Sequence, residues 1–165
     1  MTPSTIGHIT SVVPKDAIRD MHYLQMAFVT AYARSKDPNT KVASVIVSSD
    51  ERKIAFGYNG FPRGMKETPE RWTRPEKYAR VVHSETNALL NADFSTVGCT
   101  LYCTLQPCHE CLSNIVNAGI SRVVWYDSDR IPTDRQDIFK ELLELVSHRV
   151  YAKVNIIDNL ISLYQ

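Results

Sequence analysis

The chain has 165 residues, enough for one compact domain with a substantial core and too few for two. A hydrophobic share of 44%, a charged share of 22% and a formal net charge of +1 fit a soluble globular protein, with no electrostatic case for nucleic acid as a partner. No apolar run approaches the roughly 18–20 residues that span a bilayer, and "MTPSTIGHITSVVPKD" lacks the basic start and apolar core of a secretory signal, so a cytoplasmic setting is expected.

After an N-terminal arm over residues 1–15, the first element is a helix from Asp16 to Ala33. Ile18, Met21, Leu24, Phe28, Val29 and Tyr32 recur along it at helical spacing. "DPN" at 37–39 ends it. "VASVIV" (42–47) and "KIAFGY" (53–58) read as two strands joined by a polar turn. Residues 59–78 carry Gly60, Pro62, Gly64, Pro69 and Pro75 and read as a functional loop. There follow a helix over 83–92, a short strand over 99–105 and a helix from Cys108 capped by Gly119. A strand over 122–126, an amphipathic helix over 135–147 and a last strand over 150–157 complete the chain. The order α-β-β-α-β-α-β-α-β implies a single α/β domain, its core about 16–157, with helices on both faces of one sheet.

The chain has four cysteines. In a reducing compartment they suit metal binding or burial better than disulfides. Cys108 and Cys111 stand three apart at the start of a helix, so both sulfurs lie on one face. The positive end of the helix dipole there favours thiolates, the form that binds metal. Upstream, His83 and Glu85 open another helix. The pattern H-x-E followed by P-C-x-x-C is the established signature of zinc deaminases, matched here rather than derived. It makes physical sense: one histidine and two thiolates leave a fourth tetrahedral position for water, whose pKa zinc lowers toward about 7. Glu85 is then placed to move protons.

Blander readings compete. "CHEC" alone could be a thioredoxin-like pair, but that pair follows the first strand of its unit, and this one follows the third. A structural zinc site needs a fourth ligand. Cys99 and Cys103 share a strand face with Leu101 and are expected to be buried as small apolar groups. His8, His22, His109 and His148 have no ligand-like spacing.

Four segments carry a wider resemblance: "RSKDPN" (34–39), "GYNGFPRG" (57–64), "HSETNALLN" (83–91) and "TLQPCHEC" (104–111). Over about Met26–Asp127 the chain resembles the deoxycytidylate (dCMP) deaminases of the cytidine deaminase superfamily. The resemblance implies a three-layer α/β/α sandwich with a mixed five-stranded sheet, and conversion of dCMP to dUMP and ammonia for thymidylate synthesis. It implies one catalytic Zn2+ held by His83, Cys108 and Cys111, with Glu85 as proton shuttle. Backbone groups of Ser84 and Gln106 would contact the pyrimidine and Asn59 the 3′-hydroxyl. Arg34 and Lys77, helped by Ser35 and Tyr78, are the expected phosphate ligands, although a helix-end arginine and a loop lysine can equally be solvated. The resemblance further implies a homo-hexamer, with activation by dCTP and Mg2+ and inhibition by dTTP at a site including Gly60 and Arg63.

The chain departs from the family pattern at Ser84, where alanine is usual, and at "VAS" (42–44), where Ala43 adds a methyl near the base. Residues 57–82 contain no Cys or His, so no second zinc is expected. The rival readings are a deaminase of tRNA adenosine or free nucleosides on the same scaffold, and a non-catalytic zinc module.

Overall fold

The computed structural model describes residues 15–128 and 134–152. The N-terminal arm, His8 and the tail beyond residue 152 lie outside the described residues. Five strands form one sheet in the order β2-β1-β3-β4-β5. β1 (Ala43–Val47) runs antiparallel to both β2 (Ile54–Tyr58) and β3 (Thr100–Cys103). β4 (Arg122–Tyr126) and β5 (Ser147–Tyr151) continue the sheet in parallel.

The central strands are buried on both faces, as a sheet sandwiched by helices requires. The period of two then sorts their side chains. Val45, Val47, Tyr102, Val124 and Tyr126 meet Tyr23, Leu24 and Ala27 of α1 (Lys15–Arg34). Ile46, Leu101, Cys103, Val123 and Trp125 meet the opposite layer: α2 (Ser84–Asn91), α3 (His109–Asn117) and α4 (Gln136–Leu143). The expected three layers and mixed five-stranded sheet are both present. Cys99 and Cys103 are buried in that second core, as their strand position suggested. His22 stacks on Tyr23 and His148 on Trp125.

The structure adds the buried face of α1 and shifts the boundary between the last helix and strand. α1 exposes Ile18, Val29 and Tyr32 and buries Asp20, Tyr23, Leu24, Ala27 and Ala31. Small residues let the helix axis approach the sheet, and Asp20 is drawn in by Arg122, which it meets through two 2.6 Å bonds. At the other end, α4 stops at Leu143, because the Glu144 N–H folds back onto Glu141 and Leu142 carbonyls. Leu145 is left exposed, and β5 starts at Ser147, three residues before the expected position. Four of its five side chains are exposed, so its register comes from backbone pairing with β4 and not from apolar alternation. No helix among the described residues is long and apolar enough to cross a membrane.

One glycine positions the site. A Cβ on Gly57 of β2 would stand 2.2 Å from the Ala88 nitrogen and the Ser84 carbonyl oxygen, so α2 lies directly on the strand. Asn87 and Asn91 fasten it there, donating to the Tyr58 and Phe56 carbonyls at 2.8 Å.

Candidate active site

Two helix N-termini converge on one point. His83 is the N-cap of α2 and makes no side-chain cap bond, which leaves its ring free to turn toward α3. Cys108 is the N-cap of α3, and its sulfur accepts from the Cys111 N–H at 3.4 Å. His83 Nδ1 lies 3.6 Å from Cys108 Sγ and 3.3 Å from Cys111 Sγ. A tetrahedral zinc with ordinary Zn–S and Zn–N bond lengths separates such atoms by about 3.6 Å, so the three donors fit the ion. Among the described residues no other group of three His, Cys, Asp or Glu side chains converges in this way.

The thiols are electrostatically unequal. A side-chain bond from the Cys111 thiol draws the Cys108 pKa down, aided by His83 and the Cys111 backbone N–H. The Cys111 thiol, which donates that side-chain bond, is pushed up. His83 is raised by its contact with Cys108. Glu85 is buried, and desolvation raises its carboxyl above the usual range. Ser84 Oγ donates to Glu85 Oε2 at 3.1 Å and pairs with Ser44 Oγ at 2.8 Å.

These groups face a cavity of about 490 Å³, a volume suited to a small organic ligand. His83, Ser84, Glu85, Gln106 and Cys108 line it, together with Asn59, Lys77 and Tyr78. Gln106 Nε2 is buried with no hydrogen-bond partner.

The remaining expected residues are placed unevenly. Asn59 is saturated: its amide donates to Asp37 Oδ2 and the Thr40 carbonyl, and its Oδ1 accepts from Ser35 Oγ and the Val42 N–H. Ser35 is buried behind it and does not line the cavity. Lys77 is buried and ion-paired to the fully buried Asp37. Arg34 is exposed, lies outside the cavity lining and stands 5.7 Å over the Tyr58 ring. Gly60 is bridged to Val82, and the exposed Arg63 donates to Asn91 Oδ1 at 3.1 Å. Ala43 is wholly buried within β1, and its neighbour Val42 lines the cavity instead.

The sequence reading assigned no role to Asp37, the hub of this network, or to Arg74, which lines the cavity. Asp37 had a visible signal, an acidic residue before Pro38 in a quoted segment. Arg74 had none beyond its charge.

The family model for the "Cytidine and deoxycytidylate deaminase zinc-binding region" matches residues 18–127. The chain belongs to this family. Human deoxycytidylate deaminase is 37% identical over 126 residues, spanning 69% of this chain and 70% of the relative. A probable deoxycytidylate deaminase of Drosophila melanogaster is 39% identical over 142 residues, covering 77% and 68%. Among solved structures, the dCMP deaminase of cyanophage S-TIM5 in complex with dCMP and dUMP superposes with a TM-score of 0.66 at 29% identity. The match covers 84% of this chain and all of that one. As a member of this family, the chain is a hydrolytic deaminase with a zinc-binding centre.

Proposed function

We propose that the enzyme converts dCMP and water to dUMP and ammonia, at a centre formed by His83, Cys108, Cys111 and Glu85. The carrying observation is one cavity lined by a buried carboxyl and by His83 and Cys108, two of three donors that converge at zinc spacing with Cys111. His83 Nδ1 and the two sulfurs would hold zinc, which would supply Lewis-acid activation of a water molecule. Glu85 takes one proton from the attacking water as the new C4–O bond forms, and delivers it to the ring nitrogen N3. It then takes the second proton from the C4 hydroxyl and passes it to the amino group, so that the C4–N bond breaks, the C4 carbonyl forms and ammonia leaves. Ser84 Oγ orients Glu85 through its 3.1 Å bond to Oε2. Buried, unpartnered Gln106 Nε2 is a donor for the pyrimidine C2 carbonyl oxygen.

Supply of dUMP to thymidylate synthesis and hexamer assembly belong to the same reading. So does control by dCTP with Mg2+ and by dTTP through Gly60 and Arg63. They rest on the family resemblance. The test is initial ammonia release by zinc-loaded protein with dCMP, deoxycytidine and a tRNA substrate side by side. Preferential turnover of dCMP is expected; equal rates on deoxycytidine, or turnover of tRNA alone, would replace dCMP as the substrate.

A further inference from the structure

A nucleoside monophosphate carries a phosphate dianion, and a site that prefers it over the nucleoside needs a cation free to meet that charge. The cavity offers two basic side chains besides His83: Lys77 and Arg74. They are not equivalent.

Lys77 Nζ is buried against Asp37 Oδ2, and that carboxylate is wholly enclosed. Asp37 also takes the Asn39 and Thr40 N–H groups on Oδ1 and Asn59 Nδ2 on Oδ2. The lysine and aspartate therefore form a neutral, closed unit. Drawing Lys77 onto a ligand would leave an uncompensated charge in the interior, a strongly unfavourable change. Arg34 lies outside the lining, over Tyr58.

Arg74 is exposed, lines the cavity and has no carboxylate partner among the described residues. Its guanidinium carbon stands 5.4 Å over the ring of Tyr78, which also lines the cavity. A cation–π contact uses none of the guanidinium's N–H groups as hydrogen-bond donors to a carboxylate, so they keep the fork that matches two phosphate oxygens. The contact also limits the freedom of the long side chain, so less is lost when a ligand fixes it.

We propose that Arg74, held over Tyr78, is the specificity-determining residue that binds the 5′-phosphate, and that Lys77 is not a direct phosphate ligand; this rests on the dCMP reading of the site. Arg74 thereby sets the preference for nucleotide over nucleoside.

The experiment compares kcat/KM for dCMP and for deoxycytidine in the zinc-loaded wild type and in Arg74→Gln, Arg74→Lys and Arg34→Gln. Loss of a charge-assisted bidentate contact should lower the dCMP-to-deoxycytidine ratio about 10- to 100-fold in Arg74→Gln. Arg74→Lys, which keeps the charge without the fork, should recover part of it. Inorganic phosphate as a competitive inhibitor should weaken in parallel. Far-UV circular dichroism and zinc content report whether each variant is folded and loaded. A ratio within twofold of wild type in Arg74→Gln overturns the assignment, as does collapse of the ratio in Arg34→Gln alone. In both cases wild-type turnover of dCMP leaves the deaminase reading standing. A wild type that turns over neither compound removes that reading and this assignment with it.

Discussion

The two faces of the sheet each bury a carboxyl, and they treat it in opposite ways. On the α1 face, Asp20 is surrounded: Arg122 grips both oxygens at 2.6 Å, and the Tyr151 and Tyr102 hydroxyls donate at 2.6 and 3.2 Å. Burial pushes Asp20 up, but those bonds outweigh it and hold the group below its ordinary value. On the α2–α3 face, Glu85 has the Ser84 hydroxyl and its own backbone N–H, and burial wins, raising it. A buried charge that is fully partnered fastens a helix to a sheet, whereas an under-partnered one beside a cavity is available for proton transfer. Asp37 follows the Asp20 pattern even though it sits directly behind the cavity, with its lysine and the Asn39 and Thr40 N–H groups holding it down against burial.

The largest expected effect separates the two faces outright. Glu85→Gln should cost about 10²- to 10⁴-fold in kcat while zinc content and melting temperature hold, measured by ammonia release, metal analysis and thermal melts. Full activity in that variant would end the proton-shuttle role. Asp20→Ala should do the reverse, costing about 3 kcal/mol of stability with turnover per folded molecule kept. The figure is at the low end for a buried pair because the Arg122 side chain keeps 20% of its surface exposed. Because folding depresses the Asp20 pKa, its contribution is fully present above about 3.8 and fades as pH falls through the lower folded value. Acid-unfolding curves should therefore be shallower in the variant, and an unchanged slope would remove Asp20 from the anchor. If both substitutions lowered stability and turnover alike, the division between the faces would fail.

Gly57→Ala tests whether close approach of α2 positions Glu85. The added methyl would meet backbone at 2.2 Å, so α2 must shift, at about 1–3 kcal/mol of stability together with a lower kcat. Destabilisation without loss of kcat would free the site from that contact. Ser84→Ala is the mildest change. Removing the hydroxyl deletes its bonds to Glu85 and Ser44, each of about 1 kcal/mol; loss of the first should lower kcat about fivefold, leave zinc bound and barely change KM. No change in kcat would show that the Ser84 hydroxyl does not orient Glu85.

Most elements were legible because their signals are local. The strands "ASVIV" and "RVVWY" are largely apolar and β-branched, and the helices of the site begin where a loop delivers His83 and Cys108. The buried face of α1 was not fixed by periodicity, which ranks Ile18, Val29 and Tyr32 above alanine and aspartate. Packing instead selected Ala27 and Ala31 for close contact and Asp20 for its ion pair. The end of α4 and the start of β5 were displaced because an exposed edge strand has no alternation to announce it.

Zinc chemistry was decided by the order of residues alone. His83 and Glu85 are two apart, and Cys108 and Cys111 are three apart at a helix start, so short-range backbone geometry brings each pair together wherever the helices go. The partnership of the basic residues belonged to the tertiary structure. Lys77 and Arg74 are three apart in one polar loop, yet only one is neutralised, by Asp37 forty residues away. A charge is committed or free according to what surrounds it in space, and local sequence carries no record of that.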